Sequence, residues 1–172
     1  GRKKIDISPS ELSYSIISQI ESLETIADSY GLELNHIKAH GALYNQMMID
    51  AELSNFYLDT IKDFKNKCSL YIPYKSEIEK IALKKGFSII YEVFGDRNYN
   101  DDLSLVSRNN EDALITDPES VVDHIKTIKE TESVKTINGN YKKIKFDTIC
   151  IHSDTNNSIE ILKKINQEFD ES

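Results

Sequence analysis

Hydrophobic positions along the chain follow a helical spacing in some stretches and a strand spacing in others. The helical spacing predicts helices at Ser10–Ser29, Ala51–Lys65, Ser76–Lys85, Asp117-Pro118 to about Thr131, and Asn157–Phe169. Ser8-Pro9 supplies a hydroxyl cap and a proline at the first helical position of the first helix. Gly86 suits the left-handed position that ends the third helix. On the last helix the predicted inward side chains are Ile159, Leu162, Ile165 and Phe169.

Short apolar runs between these helices predict strands, at Leu34–His40, Ser69–Ile72, Ser88–Phe94, Ala113–Thr116 and Asp147–His152. Asn138-Gly139 lies between Val134–Ile137 and Tyr141–Phe146, which predicts a β-hairpin. A polar loop, Gly95–Asn110, follows the third strand. Strands that alternate with helices indicate an α/β fold with a parallel sheet. About four or five βα units are predicted, roughly half to two-thirds of a (β/α)₈-type barrel.

Composition and charge exclude several classes of protein. A chain of 172 residues with 39% hydrophobic content is enough for one domain. The formal net charge of −8 argues against nucleic-acid binding, which needs a basic surface. No stretch approaches the roughly 20 apolar residues of a membrane span, and no apolar segment typical of a signal peptide follows the N-terminus. Cys68 and Cys150 lie far apart in the chain and are predicted to be thiols of a reducing cytoplasm.

Polar residues gather where three of the predicted strands end. They are His40 with Gly41, then Glu92 with Asp96 and Arg97, then His152 with Asp154. The C-terminal ends of parallel strands meet on one face of an α/β fold, where sites are built. We therefore expect these side chains to face one site, although polar loops also begin at strand ends.

His36, Lys38 and His40 share one face of the first predicted strand. A zinc site made by His36 and His40 fits poorly, because four strand residues separate their Cα atoms by about 13 Å and zinc ligands lie about 2 Å from the metal. His36 is predicted to be a surface histidine. His40 is either a structural histidine or an acid, a base or a single metal ligand.

The charged residues of the later strands also have alternative roles. Glu92 and Arg97 form either an internal brace or a substrate clamp, since a buried carboxylate needs a partner and arginine binds carboxylates bidentately. Arg108 either binds an anionic substrate together with Arg97 or is an exposed loop residue. A histidine beside a carboxylate serves proton transfer, which suits His152 and Asp154, while Asp154 or Thr155 also suits an N-cap of the last helix.

Four blocks in these regions resemble the signatures of the LamB/YcsF family of 5-oxoprolinase A subunits. The blocks are Ile37-Lys38-Ala39-His40-Gly41-Ala42-Leu43-Tyr44-Asn45, Glu92-Val93-Phe94-Gly95-Asp96-Arg97-Asn98-Tyr99, Leu105-Val106-Ser107-Arg108 and Thr148-Ile149-Cys150-Ile151-His152-Ser153-Asp154-Thr155. Within them Ala39 stands for the family's Pro, Gly95 for Ala and Ser153 for Gly. Gly1-Arg2 resembles the Gly-Arg-Arg that follows the family's first third. We therefore expect residues 1–172 to be a single domain, an incomplete C-terminal portion of the family's barrel, without its N-terminal third and inactive alone.

The resemblance implies a distorted (β/α) barrel of the glycoside hydrolase/deacetylase type. It implies ATP-dependent hydrolysis of 5-oxo-L-proline to L-glutamate in the cytoplasm, together with subunits B and C, with ATP and Mg²⁺ as cofactors and a homo-oligomer as a further option. The implied site residues are His40, Glu92, Asp96, His152 and Asp154 for catalysis and Lys38, Arg97 and Arg108 for substrate binding, with no metal ligand assigned. The alternatives are a metal-dependent amide hydrolase or deacetylase on the same barrel, and a non-catalytic fragment or binding subunit.

Overall fold

The computed structural model describes residues 5–169, so Gly1-Arg2 lies outside the described residues. The chain divides into two compact units, Gly1–Ile90 and Tyr91–Ser172. The single domain and the absent N-terminal third expected from the sequence stay predictions. In the described part of the chain, no helix is both long enough and apolar enough to cross a membrane.

The first unit pairs helices with two short parallel strands. Its helices are α1 (Pro9–Ser29), α2 (Gly41–Gln46), α3 (Ala51–Thr60) and α4 (Glu77–Lys85), and its strands are β1 (His36–Ile37) and β2 (Ser69–Ile72). Ser8 caps α1 in a capping box with Glu11, and Gly86 ends α4 in the left-handed conformation at φ 75°. The side chains of Ile37 and Leu70 enter an apolar core that includes Leu58, Ile61 and Ile78.

The second unit is built on the parallel pair β3 and β6. Its elements are β3 (Ile89–Phe94), which begins just before the division, α5 (Pro118–Thr131), β4 (Ser133–Lys135), β5 (Tyr141–Lys143), β6 (Thr148–Cys150) and α6 (Ser158–Phe169). Asp117 caps α5 by accepting a hydrogen bond from the Ser120 backbone. The helices α5 and α6 pack together through Val121, Ile125 and Ile161, against which Ile149 and Ile151 lie.

Most predicted elements are confirmed, and three details are wrong. The first strand is confined to His36–Ile37, because His40 already precedes α2 and Gly41 has a φ of 62°. Ala113–Thr116 is not a strand: Asn110 caps a 3₁₀ turn at Glu111–Ala113, and Leu114 makes only an isolated bridge with Arg97.

The buried face of α6 also differs from the prediction. Ile165 and Phe169 pack against the apolar cluster as predicted, but Ile159 is 63% exposed. Ile161 is fully buried instead, because the spacing of four residues from Ile161 to Ile165 and Phe169 forms the stripe that meets α5. Leu162 lies outside that stripe and is also exposed.

Candidate active site at the ends of β3 and β6

The candidate site lies where β3 and β6 end, within the second unit. The two strands run parallel, with Glu92 beside Thr148 and Phe94 beside Cys150. The Gly95 backbone N–H donates to the Cys150 carbonyl at 3.0 Å, which keeps the pairing in step beyond the last strand residue. Asp96 and His152 follow directly and meet across the two chain segments.

Asp96 holds His152 through two different atoms of that residue. Its carboxylate accepts the His152 backbone N–H at 2.9 Å and contacts the ring Nδ1 at 2.9 and 3.0 Å. The Asp96 side chain is fully buried, whereas that of His152 is 27% exposed. An ionised carboxylate only accepts hydrogen bonds, so Nδ1 carries the proton and Nε2 has the lone pair. The pair therefore presents a basic nitrogen from a fixed ring.

Thr155 completes the surroundings of Asp96. Its hydroxyl donates to the Asp96 carboxylate at 2.5 Å. The N-cap role considered for Asp154 or Thr155 is therefore wrong, since α6 begins only at Ser158 and the Thr155 hydroxyl bonds Asp96 instead. The sequence signal for this contact is only the position of Thr155 three residues after His152, on the same loop.

The pKa of Asp96 reflects these contacts. Burial raises the pKa of this carboxyl, but the hydrogen bonds from the His152 ring, Thr155 and the His152 backbone outweigh it. The net pKa is lower than the ordinary value of an aspartate. Asp96 is thus a stable anion, which is the form that orients the imidazole.

Phe94 supports the imidazole of His152 from one side. The two rings are stacked, with centroids 5.2 Å apart and planes at 10°. The Phe94 backbone N–H donates to the Tyr99 hydroxyl at 2.8 Å. On its other side the Phe94 peptide bonds the ring of His124 on α5, and this ring stacks on Tyr99 with centroids 6.2 Å apart. Tyr99 and His124 therefore fix the residue on which His152 rests.

His124 is a residue that the sequence does not single out, because it lies mid-helix without a neighbouring motif. Its Nε2 is buried and makes no hydrogen bond. Burial lowers the pKa of His124, against the opposing effects of the Phe94 backbone and Asp96. A neutral ring fits this position, since an imidazolium here would be a buried charge.

The buried Arg97 side chain contacts its own loop. Its Nη2 donates to the Val106 carbonyl at 2.7 Å and its Nε to the Ala113 carbonyl at 3.2 Å. These contacts fit the brace rather than the clamp, and the further contact of Arg97 with substrate stays a prediction. Glu92 is also buried, on the stretch of β3 that pairs with Thr148, and its catalytic role stays a prediction.

Arg108 and Asp154 form an ion pair beside this core. Arg108 Nη1 lies 3.6 Å from Asp154 Oδ2. The Arg108 side chain is 22% exposed and that of Asp154 is 50% exposed. Asp154 stands between His152 and Thr155, which both bond Asp96. The structure thus brings together Asp96, Arg108, His152 and Asp154 of the predicted set.

Lys38 and His40 belong to the first unit. His40 is exposed and occupies the N-cap position of α2 without a capping side-chain bond. Lys38 Nζ lies 5.9 Å from the centroid of the Tyr44 ring. His36 is exposed, as predicted, and stacks on Tyr71 with centroids 3.7 Å apart. The expectation that Lys38 and His40 share a site with His152 stays a prediction.

The donor set of the second unit does not match the implied Mg²⁺ and ATP. Among residues 5–169, no three His, Cys, Asp or Glu side chains cluster as metal ligands. The oxygens of Asp96 are already engaged by His152 and Thr155, and the sequence has neither glycine-rich phosphate-binding motif. These residues do not fit Mg²⁺ or a nucleotide, so no step is derived through either group.

Comparison with known proteins gives a consistent result. The LamB/YcsF family profile matches residues 1–172. A protein from Pyrococcus abyssi, named as a 5-oxoprolinase A subunit, is 35% identical over 171 residues, which cover 99% of this chain and 67% of that protein. One with the same name from Campylobacter jejuni strain 81-176 is 38% identical over 170 residues, covering 98% and 66%. The crystal structure of a lactam utilization protein from Thermus thermophilus superposes with a TM-score of 0.88 at 27% identity, covering 99% of this chain and 68% of that one.

Proposed function

The chain belongs to the LamB/YcsF family, and from this premise we propose that it acts as the A subunit of a 5-oxoprolinase. The reaction is the hydrolysis of the lactam 5-oxo-L-proline to L-glutamate. The names of the relatives and of the Thermus structure support a lactam substrate. The observation that carries the proposal is the Asp96–His152 pair, which holds one imidazole nitrogen ready to accept a proton.

Ring opening requires water to add to the amide carbon and the carbon–nitrogen bond to break. His152 Nε2 takes a proton from the attacking water, because Asp96 keeps the other ring proton on Nδ1. The imidazolium then returns the proton to the departing amine nitrogen. Asp96 stabilises the imidazolium between these two steps and remains ionised, in agreement with its lowered pKa.

The proposal includes ATP dependence and subunits B and C. A lactam is a stable amide, so coupling to ATP hydrolysis supplies the driving force for opening it. The relatives are named as one lettered subunit of an enzyme, which supports the presence of partner subunits. Residues that hold the nucleotide are not assigned to this chain, and its inactivity without partners stays a prediction.

The test is turnover of 5-oxoproline and ATP by the protein assembled with subunits B and C. We expect His152→Gln to lower glutamate formation by about 10²–10⁴, the range for loss of a general base. Glu168→Gln on α6 is the matched control, since it changes an ion-paired side chain about 15 Å or more along the helix from the site loop. Full activity of His152→Gln would remove the pair from the reaction.

The same assay separates the alternatives. A stoichiometric metal in the purified protein, with hydrolysis that needs metal but no ATP, would favour the metal-dependent amide hydrolase. Normal turnover by subunits B and C in the absence of this chain would favour a non-catalytic binding role.

A further inference from the structure

The loop that carries Arg108 is fixed on both sides of that residue. Arg97 holds the carbonyl of Val106 at 2.7 Å and that of Ala113 at 3.2 Å. The Val106 backbone N–H donates to the Asn98 carbonyl at 2.9 Å. Arg108 therefore projects from an anchored loop, so its guanidinium loses little freedom when it binds a ligand.

The ion pair made by Arg108 is a loose one. The distance of 3.6 Å involves a single guanidinium nitrogen, whereas strong charge-assisted bonds are about 2.7–2.9 Å and arginine pairs with carboxylates through two of them. Arg108 is largely buried, while Asp154 is half exposed. A half-exposed pair of this kind contributes about 0–1 kcal/mol, so another carboxylate displaces Asp154 at small cost.

The pair also lies next to the proposed base. Asp154 is two residues after His152, which places their Cα atoms at most about 7 Å apart. Thr155, the next residue, is tied to the same Asp96 carboxylate as His152. A small molecule with a carboxylate near an amide therefore reaches both Arg108 and His152.

We propose that Arg108 is the recognition site for a small carboxylate ligand and that Asp154 is its intramolecular stand-in, which leaves when the ligand binds. Asp154 is then a specificity residue rather than an acid or base. The inference rests on the proposed function, where the ligand carboxylate is that of 5-oxoproline. In a chain with a net charge of −8, the stand-in also excludes neutral lactams from this contact, since they offer nothing to replace it.

The experiment measures binding by calorimetry to the protein with its full chain. The ligands are 5-oxoproline, the neutral lactam pyrrolidin-2-one and the acyclic carboxylate N-acetylglycine. Asp154→Asn is expected to tighten both carboxylates about twofold to fivefold, the equivalent of an exposed ion pair. Arg108→Gln is expected to weaken them about tenfold or more. Both variants leave the affinity for pyrrolidin-2-one unchanged.

Glu168→Gln is the matched control, because it removes the same charge from another ion pair of the second unit. Unchanged or weaker carboxylate binding by Asp154→Asn overturns the exchange, as does the absence of carboxylate binding to the unmodified protein. If N-acetylglycine follows the expected pattern and 5-oxoproline does not bind, the carboxylate site stands and the proposed substrate fails. Melting curves of all variants establish that they are folded.

Discussion

Asp96 binds His152 twice, through the backbone N–H and through ring Nδ1, both at 2.9 Å. The backbone bond fixes where the residue sits and the ring bond fixes which way the imidazole faces. One buried carboxylate thus sets both the position and the tautomer of the proposed base. The pair joins residues 56 positions apart in the chain, so it depends on the parallel pairing of β3 with β6.

Asp96→Asn is expected to lower turnover by about 10²–10⁴ with subunits B and C present. An asparagine amide keeps the size but favours the wrong imidazole tautomer, since its nitrogen donates where the carboxylate accepts. The measurement is glutamate formed from 5-oxoproline per ATP consumed. Turnover within twofold of the unmodified protein would contradict the role given to Asp96.

Thr155→Val is expected to reduce the dependence of stability on pH in the acid range. The lowered folded-state pKa of Asp96 adds stability above the unfolded-state pKa of about 3.9, and this is lost as the pH falls through the folded-state pKa. Without the Thr155 hydroxyl the folded-state pKa rises toward the unfolded value. Urea unfolding between about pH 3 and 7 checks this, and an unchanged slope would show that Thr155 does not act on Asp96.

His124→Gln is expected to remove a second, separate loss of stability below about pH 6.5. The folded-state pKa of His124 is lowered mainly by burial, so the unfolded chain binds the proton more strongly and stability falls as the pH drops below the unfolded value. The exposed His36, in the variant His36→Gln, is the control. A slope that persists in His124→Gln but disappears in His36→Gln would assign the effect to the wrong histidine.

Arg97→Lys is expected to lower the free energy of unfolding by about 1–3 kcal/mol, because lysine cannot reach both the Val106 and Ala113 carbonyls from one position. Denaturant unfolding measures the change, and Lys126→Ala, at an exposed ion pair, is the control. Unchanged stability with a large loss of activity would favour the substrate clamp over the brace.

Local signals explain what the sequence predicts well. Asp117-Pro118 opens α5 and Asn138-Gly139 turns the hairpin of β4 and β5, because caps and tight turns depend on adjacent residues. The pattern also identifies Asp96 and His152, as polar residues that follow apolar strands. Their contact with Thr155, and the support of Phe94 by His124, are not accessible in this way, since the packing of α5 and the loop after β6 decides them.

The buried side of a helix is less predictable than its existence. Ile159 and Ile161 are both apolar, and only contact with α5 selects Ile161. The same limit applies to Arg97, whose charge suits a ligand as well as a brace, and whose two carbonyl partners come from the fold of the loop.

The most direct test of the proposed base is the tautomer of His152, read from long-range ¹H–¹⁵N correlation spectra of the labelled protein at about pH 8, above the ordinary histidine pKa. The chain has four histidines, and His152→Gln identifies the signals. We predict a protonated Nδ1 and an unprotonated Nε2 for His152, with this pattern lost in Asp96→Asn. A protonated Nε2 in the unmodified protein, or a pattern that Asp96→Asn leaves unchanged, would contradict the assignment of His152 as a base held by Asp96.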